Sequence, residues 1–121
     1  MKVVFYEKSD GTKPAEEFID SLDEKMQLKM FYTIDILEKY GVQLREPYSK
    51  PLGEGIFELR ARIGTNISRV LYFFILGNKA VITNGFIKKT PRTPPNEINR
   101  AKLYRADYLS REEEAKDNER T

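Results

Sequence analysis

At 121 residues, with 40% apolar side chains, seven Phe and seven Tyr, the chain is long and apolar enough for one hydrophobic core, which excludes a disordered segment. It has no cysteine and no histidine, so disulfides, thiolate nucleophiles, cysteine metal sites and catalytic triads are excluded, and acid-base chemistry is left to Lys, Tyr, Asp, Glu or the substrate itself. The formal net charge is only +2 but is unevenly placed, at −3 over residues 1–40, +3 over 41–84, +4 over 85–108 and −2 over 109–121, a distribution that favours a polyanion on one cationic face over an evenly solvated surface.

Lys2 to Glu7 is a β-branched and aromatic run that predicts a strand, closed by the turn formers Ser9, Asp10 and Gly11. This segment meets charge too early for a signal peptide, and no apolar run approaches the roughly 18 residues of a membrane span, so a cytoplasmic protein with no membrane partner is expected. Pro14 suits a first helical position, and Ala15, Phe18, Ile19 and Leu22 form one apolar stripe. Ser21 with Glu24 is a capping-box pattern that starts a second helix, whose Met26, Met30, Ile34 and Leu37 face inward until Gly41 caps it.

Val42 to Gly55 has no clean period and reads as a loop carrying Arg45, Tyr48 and Lys50. Ile56 to Ile63 then alternates, with Phe57, Leu59, Ala61 and Ile63 on one face and Glu58, Arg60 and Arg62 on the other. Ile67 to Leu76 is almost wholly apolar, as expected of a central strand, and Gly77-Asn78 turns it into a third strand, Lys79 to Lys89. After the proline-rich Thr90 to Pro95 a last helix is expected through Tyr108. The order βααβββα predicts an α+β domain over 1–108, with a three-stranded antiparallel meander and a fraying charged tail over 109–121.

An arginine inside an apolar strand needs an anion, and Arg69 has two candidates. It could pair with Glu58 across the hairpin, or join Arg60 of the adjoining strand on a phosphate, since the planar guanidinium suits bidentate contact; Glu58 could also orient an arginine for that purpose. Alternation puts Phe86 and Lys88 on one face, a stacking surface beside a charge, with Lys89 on the other. Arg45, Arg62 and Tyr48 add RNA-binding candidates, whereas Arg100, Lys102 and Arg105 read more simply as a solvated helix face. No phosphate loop and no metal-ligand spacing is present, so no cofactor is expected.

Three motifs occur in fixed order: Lys50-Pro51-Leu52-Gly53-Glu54-Gly55-Ile56-Phe57-Glu58-Leu59-Arg60; Ser68-Arg69-Val70-Leu71-Tyr72-Phe73; and Asn84-Gly85-Phe86-Ile87-Lys88-Lys89-Thr90 with Pro94-Pro95-Asn96-Glu97-Ile98 and Ala101. Together they resemble the Gp49-like branch of the RelE/HigB toxin superfamily over about residues 2 to 108. The resemblance implies a RelE-like fold and the toxin of a type II toxin-antitoxin pair, with a helix-turn-helix antitoxin as partner. It also implies an endoribonuclease that cuts mRNA on the translating ribosome. The residues it places on the scissile phosphate are Arg60, Arg69 and Lys88, with Lys50 entering from the loop. Some relatives use a histidine or a late tyrosine for proton transfer; without histidine, Tyr104 and Tyr108 are the available substitutes. A non-catalytic module that docks a helix-turn-helix regulator is the alternative reading.

Overall fold

The computed structural model describes residues 1–76, 78–87 and 90–120, with the side chain of Arg120 left out. The order of elements is β1 (Lys2–Phe5), α1 (Pro14–Asp20), α2 (Glu24–Tyr40), a 3-10 turn (Gly41–Gln43), β2 (Ser49–Gly53), β3 (Ile56–Ile63), β4 (Asn66–Ile75), β5 (Lys79–Ile87) and α3 (Pro95–Arg120). The α+β class holds, but the sheet has five strands in the order β1-β5-β4-β3-β2 and is mixed, because β1 runs parallel to β5. The meander β3-β4-β5 is its centre.

Four details depart from the sequence reading, each for a local reason. Part of the expected loop is the edge strand β2, where Pro51 is tolerated because an edge has one side free of ladder bonds. The cap of α2 is Asp23 rather than Ser21: the Asp23 carboxylate accepts the Met26 N–H at 2.9 Å, while the Ser21 hydroxyl turns back onto the Phe18 carbonyl of α1. Leu76 leaves the central strand and is fully exposed at the turn. Finally, α3 continues through Arg120 instead of fraying after Tyr108. Its charged tail is fastened from below, Glu112 reaching Lys79 at 3.5 Å and Arg111 donating to the Glu7 carbonyl and to Asp107. No helix among the described residues is long and apolar enough to cross a membrane.

Helices cover both faces of the sheet. On one side α1 and α2 bury Ala15, Ile19, Met30 and Leu37 against Leu59, Val70, Tyr72 and Ile82. On the other, α3 packs Ala101 over Tyr6, Ile56, Leu71, Phe73 and Val81. Gly85 lets α1 approach, since a Cβ there would lie 2.2 Å from the Phe18 ring. A bulge at Thr83 of β5, opposite Leu71 and Tyr72 of β4, shifts the register, and the buried Asn84 amide donates to the Glu97 carbonyl at 3.2 Å, which fixes the start of α3.

At the far side of α3, buried Tyr6 stacks on Tyr104 at 4.6 Å and donates its hydroxyl to Asp107 at 2.6 Å. Burial, then the hydrogen bond to Asp107, pushes the Tyr6 phenol up to about 12. Because the folded value lies above the unfolded one, this contribution is complete below about pH 10 and is lost as pH rises toward 12. Tyr6→Phe is therefore expected to lower stability by about 2 kcal/mol at neutral pH. In urea titrations across the alkaline range, the gap between wild type and variant should close between pH 10 and 12.

Candidate functional site

Directly paired residues of an antiparallel ladder point to the same face, and the register builds the site on that rule. Arg60 of β3 lies opposite Arg69 of β4, which lies opposite Phe86 of β5; in the next row Lys50, Glu58, Leu71 and Asn84 are in line. Two arginines set face to face on a ladder repel each other. Glu58 relieves that repulsion from the neighbouring row: its Oε1 accepts Arg60 Nε at 2.9 Å and also Arg69 Nη1, and its Oε2 accepts the Thr93 hydroxyl.

The carboxylate is fully buried and Arg69 is only 3% exposed, whereas the Arg60 side chain is 22% exposed and Lys50 is open to solvent. Burial lowers the pKa of Arg69 and Glu58 opposes it, so the carboxylate is what allows a guanidinium to remain in this strand. The Arg69 Nε–H is buried without an acceptor among the described residues. Of the two expectations for Arg69 the pair with Glu58 is the one observed, and the same carboxylate holds Arg60 beside a cleft.

That cleft, about 460 Å³, opens between β2, β3, β4 and the start of α3, and its lining includes Lys50, Arg60, Arg69, Arg92, Thr93 and Ile98. Four cations thus stand over one buried carboxylate. Such a site favours an anion with several oxygens in reach, as a phosphate has.

The family model for phage-derived Gp49-like proteins (DUF891) matches residues 17–105, a span that takes in every residue of the cleft. The chain belongs to the Gp49-like family. This is the RelE/HigB-like toxin branch, a phage-derived, toxin-like family. No curated protein matches the sequence.

In this Gp49-like chain the residues singled out from sequence divide into three groups. Lys50, Arg60 and Arg69 come together in the cleft. Arg62 and Tyr48 lie beside it, in an adjoining pocket that also touches Arg60. Arg45 is elsewhere: its guanidinium donates to the Val42 and Leu44 carbonyls and lines a hollow against α2. Phe86 is half-buried, packed against the α3-side core, and does not line the cleft. Lys88 and Lys89 lie outside the described residues.

The tyrosines held in reserve for proton transfer are not at the cleft either. Tyr104 stacks on Tyr6, and Tyr108 meets Phe73 edge-on with its hydroxyl 3.4 Å from Lys79. On the same helix, Lys102 pairs with Glu54 and Arg105 donates to the Glu54 carbonyl at 2.6 Å, which fastens α3 to the β2–β3 turn, while Arg100 pairs with Glu97 within the helix. Sequence reasoning missed Arg92 and Thr93, because the proline-rich stretch around them has no period to place them; the one available signal was their position in the most cationic quarter of the chain.

Removing one member of a buried ion pair leaves the other charge unpaired. Glu58→Ala is expected to lower stability by about 3–5 kcal/mol, against less than about 0.5 kcal/mol for Lys50→Ala at the exposed rim. Urea midpoints of the two variants measure the contrast.

Proposed function

We propose that the chain is the toxin of a type II toxin-antitoxin pair and that it cleaves mRNA on the translating ribosome. The observation that carries this reading is the convergence of Lys50, Arg60, Arg69 and Arg92 on one cleft in a member of a toxin-like family. In this reaction the RNA's own 2′-oxygen attacks the adjacent phosphorus and the 5′-oxygen of the next nucleotide leaves, giving a 2′,3′-cyclic phosphate. The 2′-hydroxyl proton must be removed and the departing 5′-oxygen must gain one.

The cleft suits the electrostatic part of that task. Arg60, half-buried and held by Glu58, aims fixed donors at the nonbridging oxygens as negative charge grows there, and Arg69 raises the potential from beneath. Lys50 at the rim contributes charge and a proton-carrying amine. No tyrosine lines the cleft among the described residues, so alignment and charge carry most of the effect and the ribosome's hold on the mRNA supplies the rest. Naked RNA is accordingly a poor substrate. The partner in this reading is a helix-turn-helix antitoxin.

The same shortage of proton-transfer groups favours the second reading, a binding module that docks a helix-turn-helix regulator without chemistry. Induced expression followed by primer extension separates the two. New transcript 5′ ends are expected with wild type, and a folded Lys50→Ala Arg60→Ala variant is expected to lose growth arrest, with cleavage down about a hundredfold or more. Arrest without new ends would favour the binding module, and undiminished arrest by the double variant would remove the cleft from the mechanism.

A further inference from the structure

The arginine cleft is not closed at its β3 end. β2 begins at Ser49, which pairs with Leu59, so β3 beyond Arg60 has no strand on its outer side. A second pocket of about 520 Å³ occupies that open edge, lined by Lys29 and Thr33 of α2, by Pro47 and Tyr48, and by Arg60, Arg62, Gly64 and Ile67 around β3 and β4. Arg60 belongs to both pockets, so they are neighbours across a single side chain.

The second pocket has three cations and no carboxylate in its lining. Arg62 is exposed, and no ion pair engages it among the described residues. Lys29 is half-buried, with its ammonium 5.2 Å from the centre of the Tyr32 ring. Tyr48 is half-buried as well, and its backbone is pinned on both sides: its carbonyl accepts the Arg60 N–H at 2.8 Å and its own N–H donates to the Arg45 carbonyl at 3.1 Å. A tyrosine on a fixed backbone, beside two cations that no carboxylate engages among the described residues, is what an unpaired nucleotide needs, a surface for its base and charge for its phosphate.

We propose that single-stranded RNA runs from the arginine cleft across Arg60 into this second pocket, where Tyr48 stacks the adjacent base and Arg62 and Lys29 neutralise the adjacent phosphate. The inference rests on the reading of the first cleft as an RNA site. It adds α2, through Lys29, to the binding surface, and it makes the preferred ligand longer than one nucleotide. A duplex of the same length cannot present an unstacked base to Tyr48 and binds less well.

Fluorescence anisotropy with a 5′-labelled 2′-O-methyl hexanucleotide, which lacks the attacking hydroxyl, tests the proposal. A single 2′-O-methyl nucleotide 3′-phosphate, short enough to use the arginine cleft alone, serves as competitor. Arg62→Ala and Lys29→Ala are each expected to weaken hexanucleotide binding several-fold, to reduce the slope of log affinity against log salt by about 0.7, and to leave the mononucleotide constant unchanged. Tyr48→Leu should cost about fivefold or more with no change of slope, and Tyr48→Phe should retain affinity. Should Tyr48→Leu melt early, the two cation variants decide the matter. Wild-type affinity and slope in a Lys29→Ala Arg62→Ala variant, alongside weakened binding by Lys50→Ala, would overturn the second pocket and leave the cleft standing. Unchanged binding by Lys50→Ala as well would overturn both.

Discussion

A carboxylate with no access to water must find donors for both oxygens, and in this fold Glu58 finds them only if β3, β4 and the segment before α3 converge. Its Oε1 takes Arg60 and Arg69 and its Oε2 takes Thr93, so one side chain joins two strands to a loop 35 residues away in sequence. The arrangement is costly in isolation, because desolvating three charges together consumes much of their mutual attraction. What it secures is geometry: two guanidiniums with a fixed direction, next to a cleft that the loop walls in. An anion arriving there meets donors that are already placed, which is the condition under which electrostatic stabilisation acts without reorganisation.

The remaining architecture serves to leave that cleft open. The long α3 covers β5 and β4 on the same face but begins only at Pro95, and the bulge-shifted Asn84 holds its first turn at the edge of the cleft. Tyr6, Asp107 and Arg111 anchor the middle of the helix beside the β1 edge of the sheet, which fixes its course away from the arginines. On the opposite face α1 and α2 cover the core, with Gly85 admitting Phe18. Catalysis by such a site would draw on position and charge, in keeping with a chain that contains no histidine.

Much of this was legible from residue pattern. The alternation of Phe57, Leu59 and Ala61 with Glu58 and Arg60 placed Arg60 and Glu58 on one face, and Pro14 and Gly41 marked real helix ends. What failed did so where tertiary contacts outweigh local signals. β2 reads as loop because Pro51 and Gly53 suppress strand propensity, and only its ladder with β3 reveals it. The tail after Tyr108 reads as frayed because its carboxylates look solvated, yet Glu112 and Arg111 have partners on β5 and after β1. Phe86 obeys the alternation but is claimed by the core, and Arg92, Thr93 and Lys29 reach the site from segments whose own sequence has no reason to point there.

Glu58 organises the cations instead of merely diluting their charge, and the two roles predict opposite signs. Isothermal titration of a 2′-deoxy dinucleotide into wild type and into Glu58→Gln, a near-isosteric change that removes one negative charge from the site, measures the difference. If orientation governs, Glu58→Gln binds the dinucleotide more weakly despite its more positive site; tighter binding would mean that simple Coulomb attraction governs the cleft and that Glu58 does not organise it.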